Sequence, residues 1–390
     1  MGWEEWTVVV LVVGGRLLLP LIIPYRPLIG ILACLILDSA DQSIFQWFPA
    51  IPLEGYQSYD KALDIYYLSI AYMSTMRNWA NACAFRMGRF LFYYRLVGDL
   101  LFELSGVRAL LFIFPNTFEY FFIFYEAVRM RWDVRRMGKW TVIIATALIW
   151  IFIKLPQEWW IHIAQLDVTD FMRETLFGVS TDATWGEAIG NAPWVLVAMI
   201  AGMALLVFVA WWIITRKAPA GDHGIVLKAD PLPAECRGAE LYRTVRAHER
   251  IFDRALAEKA VMVALIGVIF AQILLAEDVN NVAVAAFVVV FIAVNAFVSQ
   301  LMARRGRTWR SVAVELGGMA LVNLVIVLSL EFAERVLRLI DTRAPLGKTL
   351  FFVFLLTVLT VLFDRYHTVF EARGMLRRGD QTATPAADPA

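Results

Sequence analysis

Four aspartates lie in two closely spaced pairs in the first part of the chain. Asp38 and Asp41 are three residues apart, and Asp60 and Asp64 are four residues apart. On a helix, each spacing places both carboxylates of a pair on one face. A connection that contains proline and glycine joins the pairs and could bring them together. The sequence therefore predicts a pocket in which four carboxylates meet.

Such a pocket would attract a cation. Carboxylates that share a site repel each other unless protons or a cation intervene, and ligands that are all oxygen suit hard cations such as Mg²⁺ or Mn²⁺. We therefore interpret Asp38, Asp41, Asp60 and Asp64 as metal ligands. Two alternatives stay open: Asp38 and Asp60 cap helices while the other two pair with Arg or Lys61, or the group relays protons.

Polar side chains next to the second pair could hold a substrate. Tyr56, Gln57 and Tyr59 offer hydroxyl and amide groups beside the carboxylates. In this interpretation Asp41 and Asp64 are the catalytic residues, because a carboxylate beside a metal can also act as a general base. The predicted chemistry is a metal-dependent transfer reaction.

The aspartate spacing resembles the metal-binding motif of CDP-alcohol phosphotransferases, membrane enzymes in which four aspartates hold metal ions and the CDP moiety. Gly55 would match the glycine of that motif. The chain departs from the motif at Gln42, Phe45 and Gln46, and one extra residue separates Gly55 from Asp60. With these departures, the sequence is not assigned to that family.

A second group of charges lies where the chain is otherwise apolar. Arg95, Asp99 and Glu103 follow one another at four-residue intervals, so they share one helix face. Glu119 follows the Pro115-Asn116 pair, where the missing N–H of proline breaks a helix. Charges inside a membrane are costly and mark functional sites. The group predicts either an ion or proton path, or an internal brace between Arg95 and Asp99.

The composition explains why these charges stand out. Of 390 residues, 60% are hydrophobic and 18% are charged, with a mean hydropathy of +0.62. A soluble domain carries about 25% charged residues, so the chain is predicted to be an integral membrane protein. Its net charge of +1 provides no basic field for nucleic acid.

The fold class predicted from hydropathy is an all-α, polytopic membrane bundle of ten or eleven transmembrane helices. A helix needs about 20 apolar residues to cross a bilayer. Prolines between residues 20 and 27 interrupt the first two spans, so their boundaries are open, and a single helix over 16–37 is the alternative. The candidate spans are 6–23, 27–48, 59–80, 84–103, 108–128, 139–155, 192–214, 258–276, 281–303, 311–331 and 347–366.

Lysine and arginine are concentrated in alternate connections, which predicts the orientation of the chain. Basic clusters near 129–139, 215–257, 304–310 and 365–378 indicate the cytoplasmic side. The stretch 27–60 has no basic residue, and 156–191 has only Arg173, so both are predicted to be outside.

These patterns predict the organisation of the chain. Residues 1–155 form the functional membrane half, and 258–366 form an apolar supporting half. The other segments are an extracytoplasmic connection (156–191), a transmembrane helix (192–214), a cytoplasmic connection with an amphipathic helix over 241–256 (215–257), and a cytoplasmic tail with a disordered end (367–390).

Three functions follow from these features. The first is a membrane enzyme, a transferase that acts on a lipid or lipid-linked substrate with Mg²⁺ or Mn²⁺. The second is a secondary transporter or channel whose path includes Arg95, Asp99, Glu103 and Glu119. The third is a scaffold subunit. The predicted partners are membrane lipids, a small-molecule or lipid-linked substrate and, in one interpretation, copies of the chain or a membrane complex. The predicted location is a bacterial inner membrane, with the C-terminus in the cytoplasm.

Overall fold

The computed structural model is all-helical. Helices make up 84% of it, and the described residues contain no strand. The structure describes residues 2–46, 48, 56–166, 168–217, 219–232, 253–275, 280–304, 312–336 and 346–383. Two predicted features fall largely outside the described residues. They are the amphipathic helix predicted over 241–256, of which residues 241–252 are not described, and the end of the tail from residue 384.

The described residues up to 166 form seven helices. A 3₁₀ turn, Leu19–Ile22, follows the first of them. The helices are α1 (Trp3–Leu18), α2 (Pro27–Gln46), α3 (Tyr56–Asn78), α4 (Ala82–Ser105), α5 (Ala109–Ile113), α6 (Thr117–Arg129) and α7 (Lys139–Ile163).

The described residues from 168 onward form seven further helices. The first, α8, continues as a π-helical turn over Met172–Leu176. The helices are α8 (Val168–Phe171), α9 (Trp185–Asn191), α10 (Pro193–Lys217), α11 (Arg254–Leu275), α12 (Asn281–Arg304), α13 (Val312–Val336) and α14 (Leu346–Ala383).

Within the described ranges, six helices are long and apolar enough to cross a membrane. A seventh span results if α9 and α10, which meet at 91°, are counted together. The six are Trp3–Ile22, Pro27–Phe45, Lys139–Ile163, Arg254–Gln272, Asn281–Met302 and Gly347–Gly374. The structure thus supports a membrane protein, but the predicted ten or eleven spans are not confirmed. Helices α3 and α4 carry more charge than a lipid-exposed span tolerates.

The charge of α3 is tolerated because protein surrounds this helix. Every residue from Ala62 to Met76 is buried. Helices α1, α2, α4, α6, α11 and α14 all pack against α3. A helix enclosed in this way has no need of an apolar surface, so its polar groups can be used inside the bundle.

Helices α1 and α2 form a hairpin, and the single helix over 16–37 does not form. Residues 23–26 make the turn, where Pro24 and Pro27 supply no N–H to continue a helix. Gly30 lets the two arms approach closely, since a Cβ atom there would lie 2.8 Å from the backbone of Ile23.

The predicted span over 108–128 is broken in two. Helix α5 ends at Ile113, and α6 begins at Thr117 after Pro115-Asn116. The side chain of Asn116 caps α6 by accepting the N–H of Glu119 at 3.4 Å. The break therefore places Glu119 in the first turn of α6, as the sequence predicted.

Two helices continue eight residues or more beyond their predicted spans. Helix α7 was expected to end at residue 155, where Pro156 follows, but it continues to Ile163. π-helical turns on both sides, Ile149–Lys154 and Trp159–Ile163, accompany the proline. Helix α14 continues past residue 366 to Ala383. The connection predicted over 156–191 therefore begins with helix, and α8 and α9 also lie within it.

One end of the bundle, here called the basic end, is covered by residues 219–232. The backbone N–H of Ala229 donates to the carbonyl of Tyr25 at 2.9 Å. Arg77, at the end of α3, donates to the carbonyl of Pro24 at 2.9 Å. These contacts join the α1–α2 turn, the end of α3 and the 219–232 segment.

We expect Gly98→Ala to destabilise the N-terminal half. A Cβ atom at Gly98 would lie 2.2 Å from the Cβ atom of Phe114, so α4 and the segment after α5 would have to separate. Overpacking of this kind costs about 1–3 kcal/mol. Unfolding of the purified protein in detergent measures the loss.

Gly202→Ala is the matched control, because a Cβ atom at Gly202 meets nothing within 4 Å. Its stability should equal or exceed that of the wild type. Equal stability of the Gly98 and Gly202 variants would contradict the tight contact.

Candidate functional site, a buried ionic network

The four predicted aspartates converge, and an arginine lies at their centre. The guanidinium of Arg16 donates to Asp60 at 2.9 Å and to Asp64 at 2.8 Å, and it also bonds to Asp38 and Asp41. Three helices supply this group: α1 the arginine, α2 the first pair and α3 the second pair. Carboxylate oxygens of Asp38, Asp60 and Asp64 lie within 4.8 Å of one another.

The cluster lies far from the basic end. Asp41 comes 14 residues after Pro27, and Asp64 comes 14 residues before Asn78. At 1.5 Å per residue, both carboxylates are about 21 Å from the helix ends at the basic end. Arg16 is in the last turn of α1, and it reaches this level because helical side chains tilt towards the N-terminus of their helix.

Lys61 is the second base of the cluster. Its ammonium group lies 3.1 Å from Asp60 and 3.2 Å from Asp64. Two bases therefore face four acids, and the connection 47–55 contains no further lysine or arginine. We call these six residues the acidic cluster: Arg16, Asp38, Asp41, Asp60, Lys61 and Asp64.

Carboxylate oxygens are ligands that suit Mg²⁺ or Mn²⁺, but basic side chains already occupy the position that a metal ion would take. The oxygen atoms of Asp60 and Asp64 already face either Arg16 or Lys61. A metal ion would have to compete with these two bases. In the structure the guanidinium of Arg16 is the central cation of the cluster.

Asp38 and Asp60 do not cap helices. Asp38 is in the middle of α2, and Asp60 is within α3 after its first turn. The alternative in which Asp41 and Asp64 pair with bases agrees with the contacts, although Arg16 was not foreseen as the main partner.

The predicted substrate-binding residues lie beside the cluster. Tyr59 is half-buried, with its ring centre 6.0 Å from the guanidinium carbon of Arg16. The backbone of Tyr56 and Gln57 begins α3, but their side chains are outside the described part of the chain. Their predicted role therefore stays a prediction.

The charges of α4 and α6 are buried nearby. Arg95 pairs with Asp99 at 2.9 Å and donates to the carbonyl of Phe114 at 3.1 Å. Glu119 accepts from the hydroxyl of Tyr67 at 2.6 Å. The fourth predicted member of this group, Glu103, lies near the end of α4 and is only half-buried.

A third group, on α7, was not predicted. Glu158 pairs with Lys154 at 3.1 Å and with His162 at 3.1 Å, and all three side chains are buried. The backbone N–H of Asn116 also donates to Glu158, at 3.2 Å. The four-residue spacing of these residues was visible in the sequence, but the predicted span 139–155 ended too early to include Glu158 and His162.

The three groups form one ionic network. Tyr67, on the same helix as Asp60, Lys61 and Asp64, donates to Glu119, and Asn116 donates to both Glu119 and Glu158. Among the described residues, seven acids face four bases. The acids are Asp38, Asp41, Asp60, Asp64, Asp99, Glu119 and Glu158, and the bases are Arg16, Lys61, Arg95 and Lys154. If all of these groups were ionised, the acids would exceed the bases by three charges, and His162 could offset one of them by taking a proton.

A layer of aromatic rings lies on the side of the network that faces the basic end. Ring centres within this layer are 4.1–6.1 Å apart, and every member is buried. We call it the aromatic layer, and its members are Trp79, Phe92, Phe118, Phe121, Phe122 and Tyr125.

A second ionic pair lies beyond the aromatic layer. Glu126 pairs with Arg129 at 2.6 Å and accepts from the indole of Trp79 at 2.8 Å. Arg129 also reaches the exposed carboxylate of Asp230 at 2.9 Å. Glu119 and Glu126 are seven residues apart on α6, or about 10 Å along its axis.

Sequence reasoning missed Arg16, although one signal was present. Arg16 is the only base in an otherwise apolar first span, whose other charges are Glu4 and Glu5 at its start. An isolated intramembrane charge implies a buried partner of opposite sign. The aspartates of α2 and α3 were the acids available to it.

Comparison with known proteins identifies no relative: no family model, no curated protein and no solved structure matches the chain.

We expect Arg16→Gln to destabilise the protein strongly. Four carboxylates would be left with Lys61 alone, and removing one partner of a buried ion pair costs about 3–5 kcal/mol. Unfolding in detergent measures this. The matched control is Arg135→Gln, because Arg135 is exposed and outside the network.

A second substitution separates charge from packing. Adding Asp41→Asn to Arg16→Gln removes one of the unbalanced acids, so part of the lost stability should return. If the double variant is less stable than Arg16→Gln, charge balance is not what Arg16 contributes.

Proposed function

We propose that the protein is a secondary transporter or channel that moves protons or cations, with Glu119 on the path. The observation that carries this proposal is the excess of three acids over bases in the buried network. Unbalanced carboxylates in a low-dielectric region bind protons or cations. A purely structural brace would instead balance its charges.

Partial exposure at one end supports access to this network. The side chains of Asp38 and Asp60 are 22% and 19% exposed. Glu119, deeper in the bundle, is 3% exposed. In the proposed path, a cation or proton enters at the acidic cluster and reaches Glu119 by way of Asp64 and Tyr67.

The aromatic layer has the properties of a closed gate. It separates Glu119 from Glu126, and apolar constrictions in channels block ions by excluding water. Beyond it, Glu126, Arg129 and Asp230 provide a second charged site at the basic end. Two charged sites with an apolar barrier between them are the arrangement that alternating access requires.

The proposal includes the membrane topology. We propose ten or eleven spans, in which α3, α4 and the broken α5–α6 pair cross the bilayer inside a ring of apolar helices. Helix α3 has 23 residues, so it is about 34 Å long and sufficient to span. The basic end is then cytoplasmic, as is the C-terminus, and the membrane is a bacterial inner membrane.

A flux measurement tests the proposal. The purified protein is reconstituted into liposomes that contain a pH-sensitive dye, and a pH gradient or a cation gradient is applied. We expect flux in the wild type. It should fall to the level of protein-free liposomes in Glu119→Gln, because the amide cannot exchange a proton or neutralise a cation.

The matched control is Glu174→Gln, which makes the same chemical change at an exposed position outside the network. Its flux should equal that of the wild type. Absence of flux in the wild type under every gradient, or unchanged flux in Glu119→Gln, would contradict the transport proposal.

A second candidate is a membrane-embedded, metal-dependent enzyme that acts on a lipid or lipid-linked substrate. Three carboxylate oxygens within 4.8 Å favour it. Mg²⁺ or Mn²⁺ would supply Lewis-acid chemistry there, with Asp38, Asp41, Asp60 and Asp64 as ligands. Asp41 and Asp64 would act as catalytic carboxylates, and Tyr56, Gln57 and Tyr59 would contact the substrate.

Metal binding distinguishes this candidate. Mn²⁺ is titrated into the detergent-purified protein, and the bound ion is counted by its paramagnetic resonance signal. Saturable binding that disappears in both Asp41→Asn and Asp64→Asn favours the enzyme. No binding to the wild type excludes it, and a protein with neither flux nor metal binding is best explained as a scaffold subunit.

A further inference from the structure

A groove along α4 lies outside the ionic network. Its volume is about 460 Å³, and it is shallow and widely open to the outside. It is lined by Arg86, Arg89, Phe90, Tyr93, Tyr94, Val97 and Phe114. The two arginines lie near the start of α4 and the apolar side chains follow, so the groove has a charged end and an apolar length.

The groove runs along the outer surface of the bundle. Phe90 is 54% exposed and Val97 is 40% exposed, whereas Tyr93 packs inward against Tyr72. From Arg86 to Val97 the helix rises about 16 Å. This length suits part of an acyl chain, and the charged end lies near the end of the bundle where Asn81 contacts the 134–137 segment.

The charged end carries net positive charge. Arg89 pairs with Glu258 at 2.8 Å. Among the described residues, the only hydrogen bond of the Arg86 side chain is to the carbonyl of Ala82, at 3.3 Å. Two arginines with a single acid attract an anion, and Arg86 is the one available to bind it.

We propose that this groove binds one phospholipid with an anionic headgroup. The phosphate and headgroup lie at Arg86 and Arg89, and an acyl chain lies along Phe90, Tyr94 and Val97. Charge complementarity selects an anionic lipid over a zwitterionic one, since a basic side chain at a membrane surface attracts anionic lipid. The site is independent of the transport path, because Glu119 and the acidic cluster do not line it.

Lipid retention measured by native mass spectrometry tests the site. The full-length protein in detergent is mixed with phosphatidylglycerol, with phosphatidylcholine of the same acyl chains, or with inorganic phosphate. We expect one phosphatidylglycerol molecule to be retained on the wild type, and neither of the other two. Arg86→Gln should weaken this retention about fivefold, the worth of one basic side chain near a lipid surface.

Two further variants separate charge from shape. Arg135→Gln removes an exposed arginine elsewhere and should retain lipid as the wild type does. Val97→Trp fills the apolar part without changing charge and should abolish retention. Equal retention of both lipids, retention of free phosphate, or wild-type retention in Arg86→Gln would each overturn the proposal. Thermal unfolding without lipid confirms that every variant is folded.

Discussion

The cost of removing charge from water is the constraint on which the rest of this structure depends. A carboxylate or guanidinium in an apolar interior is tolerated only when partners replace the lost hydration. Arg16 meets this condition by bonding to four aspartates from two other helices. The contact fixes how α1, α2 and α3 are arranged, because a shift of any one helix would leave a buried charge unpaired.

The same constraint explains the layered arrangement of the bundle. Helix α3 is polar and central, so apolar helices such as α11 and α14 must enclose it. Helix α4 is also charged, but one of its faces remains at the surface, where Phe90 and Val97 form an apolar stretch that follows Arg86 and Arg89. The N-terminal half is therefore rich in charge and the C-terminal spans are apolar because the charged helices lie inside the bundle and the apolar helices enclose them.

The positions of many helices could be predicted from the sequence, because helices that face lipid or the protein core consist of long stretches of apolar residues. The meeting of Asp38, Asp41, Asp60 and Asp64 also followed from helical spacing. Arg16 could not be placed, since its partners are 22 to 48 residues away and only the packing of three helices joins them. The α7 group was missed for a local reason: the predicted span ended at residue 155, whereas π-turns on both sides of Pro156 allow the helix to continue to Ile163.

The position of Glu119 links the fold to the proposed activity. The break at Pro115-Asn116 frees backbone groups, and Asn116 uses both its backbone and its side chain to connect Glu158 with Glu119. A continuous helix would have used the same N–H within its own backbone. The break therefore joins the α7 group to the rest of the network, next to the aromatic layer. In the proposed path Glu119 would be the carrier residue between the acidic cluster and the aromatic layer, and the hydrogen bonds from Tyr67 and Asn116 hold its carboxylate in that position.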